Sequence, residues 1–194
     1  MPRCSSARNS SDKPILPVVA KSRKRDIAAI IRQKKGVLAD ISFGGTPQPN
    51  AVTIGPKGDI PLDPAFLWNA YETQELPDGF IHTAVVTHVL EYVHQDCFFQ
   101  WWNGLHRLMQ PNGIVYVSGP YGGDESQGWL SDPCHMTRVV EQSFAWLDPR
   151  TPFYALHESV GRPQPKPWHP QNLARVPGTH GTVSYNVVLQ AVKS

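Results

Sequence analysis

Asp132-Pro133-Cys134-His135 gathers a carboxyl, a thiol and an imidazole into four residues. Cys134 and His135 make a poor metal pair, because adjacent side chains rarely aim at one ion and no second Cys/His pair has ligand spacing. Read as residues alone, Asp132-Pro133 suits a helix cap, and His135 a ring packed under the preceding loop. Gly44 and Gly45 beside Pro47 either let the backbone approach a ligand closely or make a sharp surface turn. His88 follows the β-branched run Thr83–Thr87, so it is either a satisfied core histidine or a group facing a cleft at a strand end. No Walker loop, nucleophile elbow or dinucleotide Gly-x-Gly-x-x-Gly occurs, which removes the common phosphate, serine-hydrolase and nicotinamide signatures.

These residues need a scaffold, and Leu76–Pro120 supplies its clearest part. Thr83–Thr87 is apolar on both faces, as a central parallel strand is. Phe98, Trp102, Leu105 and Met109 recur at helical spacing. Trp102 falls on that stripe and is core, whereas Trp101 is a candidate for exposure. Gln110-Pro111-Asn112-Gly113 is a tight turn, and Ile114–Ser118 a second buried strand. Upstream, a helix over residues 20–35 stops at Gly36, strands follow at Val37–Ile41 and Ala51–Ile54, and Ile60–Leu62 is a third candidate. Downstream come a glycine-rich loop from Gly119 to Asp132 and a short helix over Val139–Trp146. Phe153–Val160 and Ser184–Val192 then read as an antiparallel pair joined by a proline-rich stretch. The result is an α/β fold: a doubly wound, mostly parallel sheet with a C-terminal antiparallel strand pair. Such sheets bind small molecules beyond the carboxyl ends of their strands.

Composition bounds the rest. A chain of 194 residues with 40% hydrophobic content supports one domain, here residues 13–194 after a polar, disordered tail over 1–12. No apolar run approaches the ~18 residues of a membrane span, and the N-terminus lacks a secretory apolar segment, so a soluble, cytoplasmic protein is expected, with no membrane partner. Cys4, Cys97 and Cys134 are odd in number and far apart, which predicts three free thiols. A net charge of +2 is too small to imply a nucleic-acid partner by itself and none is expected, and the basic run Lys21, Arg23, Lys24, Arg25 is read as a solvated helix face, with phosphate binding as its alternative. Oligomeric state is not legible.

Four segments in order carry a family resemblance: DISFGGTPQPN at 40–50, LPDGFIHTAVVTHVLEYV at 76–93, LHRLMQPNGIVYVSGP at 105–120 and SDPCHMTRVVEQSFAWLD at 131–148. The chain resembles a class I S-adenosylmethionine-dependent methyltransferase, of the small type with an Asp-Pro-x-His loop. The resemblance implies a Rossmann-like methyltransferase fold, S-adenosylmethionine as cofactor, and a cofactor site made by Asp40, Ser42, Gly44, Gly45, Gly55, Asp63, Thr87 and His88. It further implies His135 as base, with Asp132 orienting it and Arg138 as an anion clamp. Three positions depart from the family pattern. Ser42 stands where the first glycine belongs, Gly55 where a carboxyl should hold the ribose hydroxyls, and His82 where another acidic residue is usual. Asp63 matches the family's acidic group near adenine, and as a residue beside Pro64 it also suits a helix cap or turn.

The implied activity is methyl transfer to an oxygen or nitrogen of a small-molecule or glycan-like acceptor. The alternative is a catalytically impaired member of the fold that serves as a binding or scaffold protein.

Overall fold

Short apolar runs punctuated by glycine and proline become strands, and the one long stretch with helical apolar spacing becomes the main helix. The structure is a computed structural model that describes residues 37–42, 48–55, 60–61, 76–123, 127–161, 164–178 and 182–193. The expected tail over 1–12, the helix over 20–35, the loop residues Gly44 and Gly45, and Asp63 lie outside the described residues.

Strands β1 (Val37–Ser42), β2 (Val52–Gly55), β3 (Ile60–Pro61) and β4 (Ile81–Thr87) precede helix α1 (Phe98–Leu108). Strand β5 (Met109–Pro120), short helices α2 (Gln127–Leu130) and α3 (Glu141–Ala145), helix α4 (Pro152–Ser159) and strands β6 (Trp168–Pro177) and β7 (Val183–Ala191) follow. All seven strands form one sheet in the order β3-β2-β1-β4-β5-β7-β6. Strands β1 to β5 are parallel, while β7 runs antiparallel to both β5 and β6. The fold is thus the Rossmann-like, mostly parallel α/β sheet with an antiparallel C-terminal pair.

The core follows the strand faces. Val37, Ala39 and Ile41 on β1, Ala84 and Val86 on β4, and Val115 and Val117 on β5 are buried. On β7, Tyr185, Val187, Leu189 and Ala191 alternate inward with period two. Helix α1 buries Phe98, Trp101, Trp102 and Leu105, so Trp101 is core and not exposed. The Pro111-Asn112-Gly113 turn lies within β5 as an irregularity where its pairing with β4 shifts register, and Asn112 takes a left-handed φ of 60°.

Phe153–Val160 was expected as a strand and is helix α4. Pro152 occupies the first helical position, where its missing N–H costs nothing, and the Thr151 hydroxyl accepts from the Tyr154 N–H. The partner of β7 is instead β6, drawn from the proline-rich stretch. It is an edge strand, so Pro170 and Pro177 interrupt no central ladder. Cys97 is disulfide-bonded, which corrects the expectation of three free thiols, and Cys134 is exposed and free. No helix among the described residues is long and apolar enough to cross a membrane.

Candidate functional site

The carboxyl ends of the central strands form one polar row. Ser42 on β1 is level with Thr87 on β4, and Thr87 with Ser118 on β5. Gly55 follows Ile54, the partner of Ile41, so it ends β2 beside Ser42. The Ser118 hydroxyl donates to Thr87 Oγ1 at 3.4 Å. Strand order reverses between β1 and β4, the place where open α/β sheets take their ligands. The row Gly55, Ser42, Thr87, Ser118 stands at this switch point.

Asp40 is buried on β1, and its Oδ2 accepts from the Gln48 N–H at 2.7 Å. One carboxyl oxygen therefore ties the chain after β1 back to the strand. Gly55 is buried, and among the described residues a Cβ built on it would meet the Ser42 carbonyl oxygen at 3.4 Å, an ordinary van der Waals contact.

His88 leaves β4 in the left-handed region, with φ 54°. Its N–H donates to the Ser118 carbonyl at 3.0 Å, and the reversal leads into a 3-10 turn over Leu90–Tyr92. That turn carries Glu91 back to the ring, and His88 Nδ1 lies 2.9 Å from Glu91 Oε1. An ionised carboxylate can only accept, so opposite an ionised Glu91 the hydrogen sits on Nδ1 and Nε2 is the nitrogen free to take a proton. The imidazole is 58% exposed, whereas the Glu91 side chain is fully buried. The hydrogen bond to Glu91 raises the His88 pKa above 6.5, against the opposing effect of partial burial. This His-x-x-Glu pair escaped sequence reasoning, although the three-residue spacing across a strand end was there to be read.

Residues 127–140 form a wall beside this turn. The Glu91 carbonyl accepts from the N–H groups of Met136 and Thr137, at 2.7 and 3.1 Å. Trp129 Nε1 donates to the Thr137 carbonyl at 3.1 Å, and the Arg138 guanidinium lies 4.8 Å above the Trp129 ring. Asp132 Oδ2 accepts from the Tyr92 hydroxyl at 2.8 Å, and its Oδ1 from the Cys134 N–H. Those two bonds hold the Asp132 carboxyl below its ordinary range, the Cys134 bond contributing most. Burial, and then the Asp132 bond, push Tyr92 up to about 12.

The His135 side chain is only 6% exposed. Its Nδ1 donates to the Trp129 carbonyl at 2.8 Å, and the edge of its ring meets Tyr92 with centroids 5.0 Å apart. Nε2 is 3.8 Å from Asp132 Oδ2, beyond hydrogen-bond distance. The structure thus brings Ser42, Gly55, Thr87 and His88 together at the strand ends of the switch point. It seats Asp132 and His135 in the wall, and Asp40 on β1 with the Gln48 N–H. Among the described residues, no cluster of His, Cys, Asp or Glu is built to hold a metal.

No protein-family model matches the sequence, and no curated protein matches it. Solved structures do. An S-adenosylmethionine-dependent methyltransferase from Archaeoglobus fulgidus aligns with a TM-score of 0.50 at 13% identity, over 89% of this chain and 93% of that one. The 16S rRNA (adenine(1408)-N(1))-methyltransferase from Catenulisporales acidiphilia aligns with a TM-score of 0.50 at 14% identity, over 88% of this chain and 94% of that one. The likeness establishes the fold, the Rossmann-like architecture of class I methyltransferases.

Proposed function

We propose that this protein is a methyltransferase that binds S-adenosylmethionine in the crevice between β1 and β4 and methylates an oxygen or nitrogen of a small-molecule or glycan-like acceptor. The observation that carries this reading is the row Gly55, Ser42, Thr87, Ser118 at the topological switch point, in a sheet whose fold aligns with that of a solved methyltransferase. Backbone without a side chain at Gly55 and the hydroxyls of Ser42 and Thr87 suit an amino-acid and ribose group lying across the strand ends. Asp40, Gly44, Gly45 and Asp63 complete the proposed site from the sequence. When bound, S-adenosylmethionine supplies a methyl carbon on a positively charged sulfur, which keeps the electron pair of the broken bond as the acceptor takes the methyl group. The protein's own part is to orient acceptor and donor in line, to exclude water and to accept a proton.

The wall over residues 127–140, with Asp132 and His135 locked into it, shapes the acceptor side. A net charge of +2 provides no strong field to gather a polyanion, which favours a small acceptor over nucleic acid. The acceptor's class is otherwise set by which group can lose a proton beside the crevice.

Because β2 ends in Gly55, no strand-end carboxyl is available there to accept both ribose hydroxyls. Loss of such a contact costs about 1.5–3 kcal/mol, roughly one to two decades of affinity. Calorimetric titration with S-adenosylhomocysteine is therefore expected to show saturable but modest binding below millimolar concentration. Absence of binding at millimolar ligand would overturn the reading in favour of a scaffold role.

A further inference from the structure

We propose that His88 is the general base of this crevice: its Nε2 accepts the proton that an O–H or N–H acceptor loses on methylation, and Glu91 is the positioning residue that fixes the ring. The assignment rests on the methyltransferase reading above and names a residue for which the sequence motifs suggested only a place in the cofactor cleft.

Geometry carries it. His88 stands one residue beyond the polar row, at the switch point, with an exposed imidazole whose Nδ1 is committed to Glu91. Nε2 is therefore the open nitrogen, and it belongs to the tautomer that can take a proton. His135 also spends Nδ1, on a carbonyl, but by contrast its ring is enclosed by Trp129 and Tyr92.

The second observation is Glu91 itself. A fully buried carboxyl is costly unless paired, yet Glu91 Oε2 has no hydrogen-bond partner among the described residues. Beside it stands the Tyr185 hydroxyl, also buried and also without a partner there. The two crowd Gly119: a Cβ at that position would lie 2.8 Å from the Tyr185 hydroxyl and 3.1 Å from Glu91 Oε2. Glycine is required because these two side chains occupy the space. Glu91 thus contributes little to packing that an apolar residue would not, while its charge acts on His88. Opposite an ionised Glu91, a proton arriving at Nε2 completes an ion pair, which makes the ring a better base.

The other titratable groups facing Glu91 do not compete for that proton. Tyr185, from β7, is pushed well above 10 by burial and by Glu91. Tyr92, on the same turn, is raised to about 12 by burial and its bond to Asp132. Both phenols stay neutral while His88 titrates. In the step, the acceptor's O–H or N–H bond breaks as its oxygen or nitrogen gains the methyl group. The proton moves to His88 Nε2, so the donor's positive charge reappears on the imidazolium, held by Glu91 until solvent removes it. The acceptor class is accordingly a hydroxyl or an N–H nucleophile, not a thioether or tertiary amine.

The test is long-range nitrogen–proton NMR on the full chain with labelled histidine, using His88→Asn to assign the signal, since asparagine tolerates the left-handed backbone. The expected result is the Nδ1–H tautomer, a titration above 6.5, a downward shift of that titration in Glu91→Gln, and displacement of the His88 signals by saturating S-adenosylhomocysteine. An Nε2–H tautomer, a titration indifferent to Glu91→Gln, or ligand binding that leaves His88 unmoved would overturn the assignment and leave the methyltransferase reading intact. If Glu91→Gln does not fold, tautomer and ligand response in the unaltered protein decide. Failure of the ligand to bind by calorimetry overturns both.

Discussion

At the scale of single residues, the sheet edge and the interior make opposite use of small polar groups. Gly55 puts no side chain at the buried end of β2, and among the described residues a Cβ there would meet nothing closer than the Ser42 carbonyl, at 3.4 Å and without a positive φ. Gly55→Asp should therefore fold and supply the missing acceptor for ribose hydroxyls. It is expected to tighten S-adenosylhomocysteine binding about tenfold or more by calorimetry. Unchanged affinity would mean that the ligand's ribose does not lie over β2. His106 is an interior case: Nε2 donates to the Val192 carbonyl at 3.0 Å, the ring meets Trp168 edge-on, and burial lowers its pKa to about 4. The unfolded chain binds this proton below 6.5 while the folded one does not until about 4. Stability is therefore full above 6.5 and falls as pH drops through that window, by at most about 1.4 kcal/mol per pH unit. Urea midpoints should show this slope in the wild type and a shallower one in His106→Gln. Parallel slopes would show that His106 gains its proton equally in both states.

At the scale of elements, the wall over residues 127–140 depends on a close approach to the end of β5. Gly122 donates its N–H to the Val139 carbonyl at 2.8 Å, and a Cβ on Gly122 would lie 2.8 Å from both Arg138 Cα and Val139 N. These are backbone atoms that cannot rotate away. Gly122→Ala should cost about 1–3 kcal/mol and speed amide exchange at Met136 and Thr137, whose N–H groups hold the wall to Glu91. A variant with unchanged melting temperature and exchange would show that the wall adapts freely. Legibility also divides at this scale. Helix α1 and strands β4 and β5 were readable because their apolar spacing continues over whole elements. Helix α4 was misread as a strand because Phe153–Val160 is a short apolar run that periodicity cannot assign, and the Thr151-Pro152 start signal outweighs it. Strand β6 was hidden by prolines that only an edge position tolerates. In the site, the resemblance drew attention to Asp132 and His135, which the fold locks into the wall. The His88–Glu91 pair depends on one left-handed residue reversing the chain, and no periodicity reports that.

At the scale of the whole molecule, the two ends of the parallel strands have separate tasks. The carboxyl ends carry the proposed cofactor crevice. The amino ends hold an aromatic anchor, because Trp168 is level with Ala191, and the neighbouring Gln190 with Ile114 near the start of the paired part of β5. Trp102 on α1 is the centre of that anchor, edge-on to Trp101 at 5.1 Å, Trp168 at 5.2 Å, Phe144 at 6.3 Å and Phe98 at 6.4 Å. It thereby links α1, α3 and the first residue of β6, and the Trp168 N–H donating to the Leu147 carbonyl at 2.9 Å adds a backbone tie. Trp102→Ala removes a fully buried ring and its edge contacts, at a cost of about 3–5 kcal/mol. Against a total stability of roughly 5–15 kcal/mol, that leaves the protein marginal or unfolded. Trp102→Phe keeps an aromatic ring and should fall between. Urea unfolding ranks the three proteins, and S-adenosylhomocysteine titration of the folded Trp102→Phe protein separates the two ends. Reduced stability with unchanged ligand affinity is expected, since the anchor and the crevice lie at opposite ends of the strands. A parallel loss of affinity would mean that the sheet transmits packing strain along its length to Ser42 and Thr87.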